Sequence, residues 1–143
     1  MKLEYELTDC LTAGGRQIRT EVFMEEQGFR GEFDSIDGAA LHVTCYADQE
    51  PAATGRTFPR EGEPGAYTIG RVAVRRPWRK QGLGAAVIQR LEQAARERGA
   101  REAALLAQVQ AKGFYEKLGY RAVGPVVYDE HCPHVSMRKA LEG

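Results

Sequence analysis

The sequence predicts an α/β protein on a mixed sheet, with elements in the order β-α-β-β-β-α-β-α-β-β. Three observations carry this. Short runs rich in β-formers alternate with stretches of helical period. After Gly82, Leu83, Val87, Leu91, Ala94 and Ala95 share one helical face, while Gln89, Arg90, Gln93, Arg96 and Glu97 fall elsewhere. Gly99 and Gly119 supply stops for the two later helices.

Taken in order, residues 2–7 alternate as a first strand. A helix is predicted over Ala13–Gln27, with Ile18, Val22 and Phe23 on its apolar face and Gly14 and Gly15 weakening its start. Glu32–Gly38 reads as an acidic loop. Leu41–Tyr46, Pro51–Phe58 and Ala66–Val74 read as strands, the last two joined by a turn over Pro59–Gly65. The helix from Gly82 to Gly99 is followed by a strand over Glu102–Ala107 and a shorter helix over Gln110–Leu118. Arg121–Val127 and Val135–Arg138 are the closing strands.

A chain of 143 residues suits one domain spanning 1–143. It can bury about two thirds of the surface its unfolded chain exposes, so it needs no disulfide or metal staple. Twenty basic residues balance twenty acidic ones, which argues against nucleic acid or a membrane surface as partner. The three cysteines, Cys10, Cys45 and Cys132, form no CxxC pair and read as reduced thiols of a cytoplasmic protein. His131-Cys132-Pro133-His134 has no distant partner pair, so no metal is expected. Met1–Glu6 lacks an apolar signal region, and no run approaches the ~20 apolar residues of a membrane span.

The segment Ile69–Gly84 carries the chemistry. A strand ends at Val74, a loop bearing Arg75, Arg76, Arg79 and Lys80 follows, and Gly82 and Gly84 open a helix. The first turn of a helix has unpaired N–H groups and the positive end of the helix dipole, which together make an anion site. Glycines there let a phosphate approach the backbone. A diphosphate suits this best. The Walker string GxxxxGK[ST] does not occur, and the dinucleotide fingerprint fails because its third glycine position is Val87.

Arg79-Lys80-Gln81-Gly82-Leu83-Gly84 resembles the acetyl-CoA pyrophosphate loop of the GNAT N-acetyltransferase superfamily. Phe114, Tyr115, Gly119 and Tyr120 resemble a second signature that closes the family's cofactor cleft. The resemblance spans about residues 69 to 121. A softer likeness to small single-domain bacterial members runs through 18–27, the acidic loop, His42 and Pro133-His134.

The resemblance implies a mostly antiparallel sheet flanked by helices, and acetyl transfer from acetyl-CoA to a primary amine by direct attack. It implies that backbone groups of Val72, Ala73 and Val74 pair with the pantetheine arm. Arg79, Lys80, Gln81, Gly82, Leu83 and Gly84 then hold the pyrophosphate, with Gln108 and Phe114 completing the cofactor site. Tyr115 is the expected acid for the departing thiolate, since a phenol is protonated at neutral pH. Some family members place a glutamate on the Ala66–Val74 strand as base, and this chain has none there. His134 takes that role in the reading adopted here, with His42, Glu25, Glu26 and Asp34 as alternatives. Glu25, Glu26 and Asp34 are also read as lining for a cationic acceptor. Cys132 sits near two histidines, but no acyl-transfer motif surrounds it. The expected partner is a small-molecule or peptide amine, and a homodimer is left open. Two other readings remain: a non-catalytic acetyl-CoA sensor or scaffold, and an unrelated nucleotide-binding α/β protein.

Overall fold

The computed structural model describes residues 1–141. Its elements are β1 (Leu3–Thr8), α1 (Ala13–Arg19), β2 (Leu41–Ala47), β3 (Glu50–Pro59), β4 (Ala66–Val74), α2 (Leu83–Glu97), β5 (Glu102–Gln108), α3 (Lys112–Lys117), β6 (Arg121–Asp129) and β7 (Cys132–Ala140). Seven strands form one sheet in the order β1-β2-β3-β4-β5-β7-β6. Every neighbouring pair is antiparallel except β4 and β5, so the sheet is mixed and mostly antiparallel as expected.

The β2–β3 hairpin turns on Asp48 and Gln49, both with positive φ (49° and 71°). Two left-handed residues are what a two-residue turn needs to match strand twist. α1 is capped by Thr12, whose hydroxyl accepts from the Gly15 amide at 2.9 Å. Gly14 and Gly15 weaken the helix intrinsically but let it lie close to the sheet. A Cβ at Gly14 would stand 3.2 Å from the Tyr46 hydroxyl, and one at Gly15 3.3 Å from Thr54 Oγ1.

The predicted helix over Ala13–Gln27 is two pieces. α1 ends at Arg19, and Thr20–Glu26 continues as a π-helical segment, with the Gln27 amide reaching back to the Val22 carbonyl. Apolar spacing at 18, 22 and 23 fits either winding, so the pattern did not separate them. The widened turn starts just after Arg19, whose guanidinium is buried. The predicted helix over Gln110–Leu118 shortens to a 3-10 turn at Val109–Ala111 followed by α3. The two closing strands are longer than predicted. β7 begins at Cys132, so Cys132 and His134 lie on a strand and not in a loop.

α2 buries Leu83, Val87, Ile88, Leu91, Ala94 and Ala95 against the sheet. Each of its large aliphatic side chains contributes about 1.5–3 kcal/mol by leaving water. The contact is close because β3 offers Gly55. A Cβ there would stand 2.7 Å from Leu91 Cδ1 and 3.0 Å from Val87 Cγ1. Overpacking of this kind costs about 1–3 kcal/mol. Gly55→Ala is therefore expected to lower the unfolding midpoint by about 3–12 °C. Gly70→Ala on the next strand is the control, because a Cβ there meets nothing within 4 Å. Equal midpoints for the two variants in a thermal melt would mean that α2 simply shifts.

Among the described residues no helix is long and apolar enough to cross a membrane, and no group of three or more His, Cys, Asp or Glu side chains is arranged to hold a metal.

Candidate active site

β4 and β5 pair only over Ala66–Thr68 and Glu102–Ala104, then separate. From Ile69 to Val74 the β5-facing edge of β4 has no strand partner. A bulge opposite Gly55 adds to the divergence, since Thr54 pairs with Ala73 but Arg56 pairs with Gly70. Arg71 sits in that bulge at φ 52°, a left-handed conformation costly for a residue with a Cβ. Its guanidinium is held by Glu32 (Nε–Oε2 3.1 Å) and Asp34 (Nη2–Oδ2 3.4 Å). The opening is a cleft of about 270 Å³, whose walls include Phe23, Phe29, Val72, Gln108, Tyr115 and His134.

The start of α2 lies against Phe114, the neighbour of Tyr115, and against Val74. Gly82 caps it at φ 81° without any side-chain cap, so the first amides of the helix have no partner from that residue. Lys80 is also left-handed at φ 64°. Backbone of this kind forms anion-binding nests. A Cβ at Gly82 would meet nothing within 4 Å, while one at Gly84 would touch Phe114 at 3.4 Å, so Phe114 rests on the start of α2. Leu83 points into the core instead. The basic loop is largely neutralised. Arg75 binds Glu21 at 2.7 Å, and Arg76 and Arg79 bind Glu26 at 3.4 and 2.9 Å. Arg79 also donates to the Val74 carbonyl at 2.8 Å.

Tyr115 projects into the cleft from α3, edge-on to Phe114 (5.1 Å between ring centroids) and Tyr120 (5.9 Å). Burial pushes its phenol up to about 12. Tyr120 anchors the end of this short helix by donating to buried Glu92 at 2.7 Å, and Lys139 holds the same carboxylate at 3.0 Å. From β7, His134 is 6% exposed, and its Nδ1 lies 2.9 Å from the Cys132 carbonyl. A carbonyl only accepts, so Nδ1 carries the hydrogen and Nε2 keeps its lone pair when the ring is neutral. Gln108 donates to Gln27 at 2.7 Å and accepts from Gln110.

The cleft thus brings together Val72, Gln108, Tyr115 and His134, whereas Ala73, Val74, Arg79–Gly84 and Phe114 are not among the residues that line it. It does not gather Glu25, Glu26 or Asp34. Glu25 is exposed outside it, Glu26 is bound by Arg76 and Arg79, and Asp34 accepts from Arg56 at 2.7 Å. The acidic residues on its walls are Glu32, Asp129 and Glu130. His42 is buried away from it, with Nε2 2.9 Å from the Asp37 carbonyl. Burial raises the Cys132 thiol, the opposite of an activated nucleophile.

Behind one wall lies a charge cluster that sequence reasoning missed. Arg19 reaches Glu32 and Asp37, each at 2.8 Å, and Arg56 reaches Asp34 and Asp37. Arg19 falls at helical spacing with Val22 and Phe23, and a cation on an apolar stripe was the available signal. Burial pushes the Glu32 carboxyl up despite Arg19 and Arg71. Burial alone would also raise Asp37, but hydrogen bonds from Arg19 and Arg56 outweigh it and hold its carboxyl well below the usual range.

Residues 10–141 match the family model described as an acetyltransferase (GNAT) domain. YjcF, an uncharacterized N-acetyltransferase of Bacillus subtilis, is 33% identical over 125 residues, covering 85% of this chain and 87% of its own. The crystal structure of an acyl-CoA N-acyltransferase from Pseudomonas aeruginosa is 31% identical, covers 97% of this chain and 100% of that one, and superposes with a TM-score of 0.84. That of a candidate N-acetyltransferase from Lactobacillus plantarum is 26% identical, covers 99% and 100%, and reaches 0.89.

Proposed function

This chain belongs to the GNAT acetyltransferase family, and we propose that it moves an acetyl group from acetyl-CoA to a primary amine by direct attack in a ternary complex. The observation that supports this most is the union of two features: a strand edge left without a strand partner by the β4–β5 separation, and an uncapped start of α2 that lies against Val74 of that strand and against Phe114 beside Tyr115. The α2 amides and those of the preceding loop would hold a pyrophosphate, and no neighbouring atom within 4 Å of a Cβ position at Gly82 obstructs its approach. The edge at Val72–Val74, which has no strand partner and whose Val74 carbonyl already accepts from Arg79, would bond the pantetheine amides, and Gln108 would bond one from the facing strand. Bound acetyl-CoA supplies the acetyl group as a reactive thioester.

The amine attacks as the neutral base, its ammonium proton having passed to solvent. His134 Nε2 takes a second proton from the nitrogen as it attacks, and solvent later carries that proton away. A nitrogen–carbon bond forms as the carbon–sulfur bond breaks, and Tyr115 gives its proton to the departing sulfur. A backbone N–H of β4 polarises the carbonyl as charge develops on oxygen.

Thermal unfolding with acetyl-CoA, NADH and ATP at equal concentration tests the cofactor. A ligand at 100 times its Kd stabilises the fold by about 2.7 kcal/mol, a midpoint shift of about 8–10 °C for a domain of this length. That shift is expected with acetyl-CoA alone. No shift with acetyl-CoA, or an equal one with NADH or ATP, would overturn the reading.

A further inference from the structure

The ionisable groups on the cleft walls divide into a neutralised set and an uncompensated one. Glu32 is answered by Arg19 and Arg71, and Arg71 is occupied by Glu32 and Asp34. On another wall, the end of β6 presents Asp129 and the turn into β7 presents Glu130. Glu130 accepts from the backbone amides of Arg30 and Gly31, each at 3.2 Å. Those amides orient the carboxylate but bring no net charge. Among the described residues no ion pair reaches Asp129 or Glu130.

A second feature of the same cleft points to what sits there. His134 is nearly buried and lines the cavity, its Nδ1 is used by the Cys132 carbonyl, and among the described residues its Nε2 has no hydrogen-bond partner. Between its chemistry and that of Glu130 comes Phe29, whose ring lies 6.3 Å from His134 and 5.0 Å from His131, the residue after Glu130. Phe23 stands edge-on to Phe29 at 6.4 Å. The cleft therefore offers a proton acceptor, an apolar wall and a rim of two uncompensated carboxylates.

We infer that the acceptor is a small aliphatic primary amine carrying a second positive charge. Its reacting nitrogen meets His134, its alkyl chain lies on Phe23 and Phe29, and its second cation meets Asp129 and Glu130. This rests on the amine-acetylation reading above. It departs from the acidic residues that the sequence pointed to, since Glu25, Glu26 and Asp34 are outside the cleft.

Three acceptors of one chain length test it: 1,4-diaminobutane, butylamine and 4-aminobutanoate, which differ only in the far group. Thiol release from acetyl-CoA gives kcat/KM for each. The diamine is expected to exceed butylamine by about tenfold, and butylamine to exceed 4-aminobutanoate by a similar factor. Added salt should shrink both ratios, because the rim is open to solvent. Glu130→Gln keeps an oxygen for the Arg30 and Gly31 amides but removes the charge, and Asp129→Asn does the same at its neighbour. Each should lower the diamine-to-butylamine ratio, and the double variant should bring it near the statistical factor of about two that the diamine's two equivalent nitrogens leave. Butylamine or 4-aminobutanoate used as well as the diamine would overturn the acceptor inference and leave the transfer reading standing, as would a ratio that survives both substitutions. If acetyl-CoA binds and none of the three is acetylated, the acceptor inference falls while the binding of acetyl-CoA keeps the transfer reading standing for other primary amines.

Discussion

Tyr115→Phe will lower kcat by about 10²–10³-fold, within the range that a positioned general acid contributes, and will leave the affinity for CoA nearly unchanged. The substitution removes one oxygen and keeps the ring that stacks edge-on against Phe114 and Tyr120. Packing is therefore conserved and the proton is lost. The wild-type phenol is held protonated by its burial, which lifts it to about 12, so it is available as a donor throughout the neutral and mildly alkaline range. The same shift has a consequence for stability. The folded value lies above the unfolded value of about 10, so the contribution of Tyr115 is fully present below pH ~10 and is lost as pH rises toward 12. Urea midpoints measured from pH 9 to 12 should fall more steeply for the wild type than for Tyr115→Phe. A kcat within about threefold of wild type would reduce Tyr115 to a packing residue, since an acid in the transition state contributes far more.

What the sequence made legible was local. The apolar face of α2 is buried as its periodicity predicted, at Leu83, Val87, Leu91, Ala94 and Ala95. Gly82 opens α2 and Tyr115 lines the cleft, features that turn chemistry and helical spacing write within a few neighbouring residues. Charges were a different matter. Arg75, Arg76 and Arg79 read as free cations beside a phosphate site, yet Glu21 and Glu26, about fifty residues away in the chain, occupy all three. Glu26 and Asp34 read as acceptor-site carboxylates for the same reason, and both are taken by arginines. A pattern reveals that a residue is charged, but its partner depends on which strands and helices meet. The carboxylates that do face the cleft, Asp129 and Glu130, were hidden by an error of extent. The closing strands were drawn short, which left the turn between them undefined, and it is this turn that reaches the segment after the π-helical turn.

Arg19→Met is expected to destabilise the fold by about 3–5 kcal/mol, the cost of removing one partner from a buried charge pair, which is a midpoint loss of about 10–15 °C. Arg19 is 1% exposed and serves two carboxylates, through Nε to Glu32 and through Nη1 to Asp37. Its Nη2 also holds the Glu32 carbonyl at 3.0 Å. Methionine fills much of the volume, so the loss is one of charge and not of packing. Asp37 is held below the ordinary carboxylate range in the native protein, so its contribution is present above its unfolded value of about 3.9 and is lost progressively as pH falls from there through the depressed folded value. Arg19→Met removes part of that stabilisation, and its unfolding midpoint should depend less steeply on pH below 4 than the wild type's. Arg19→Met combined with Glu32→Gln should recover part of the loss, because the orphaned carboxylate is gone. The effect should extend to the cleft. Arg19 fixes Glu32, Glu32 fixes Arg71, and Arg71 sits strained in the bulge that parts β4 from β5. A variant that melts lower but keeps both kcat and KM at 25 °C would show that the bulge holds without this support. A raised KM for the amine with kcat little changed is the result that ties the buried cluster to the acceptor side of the site.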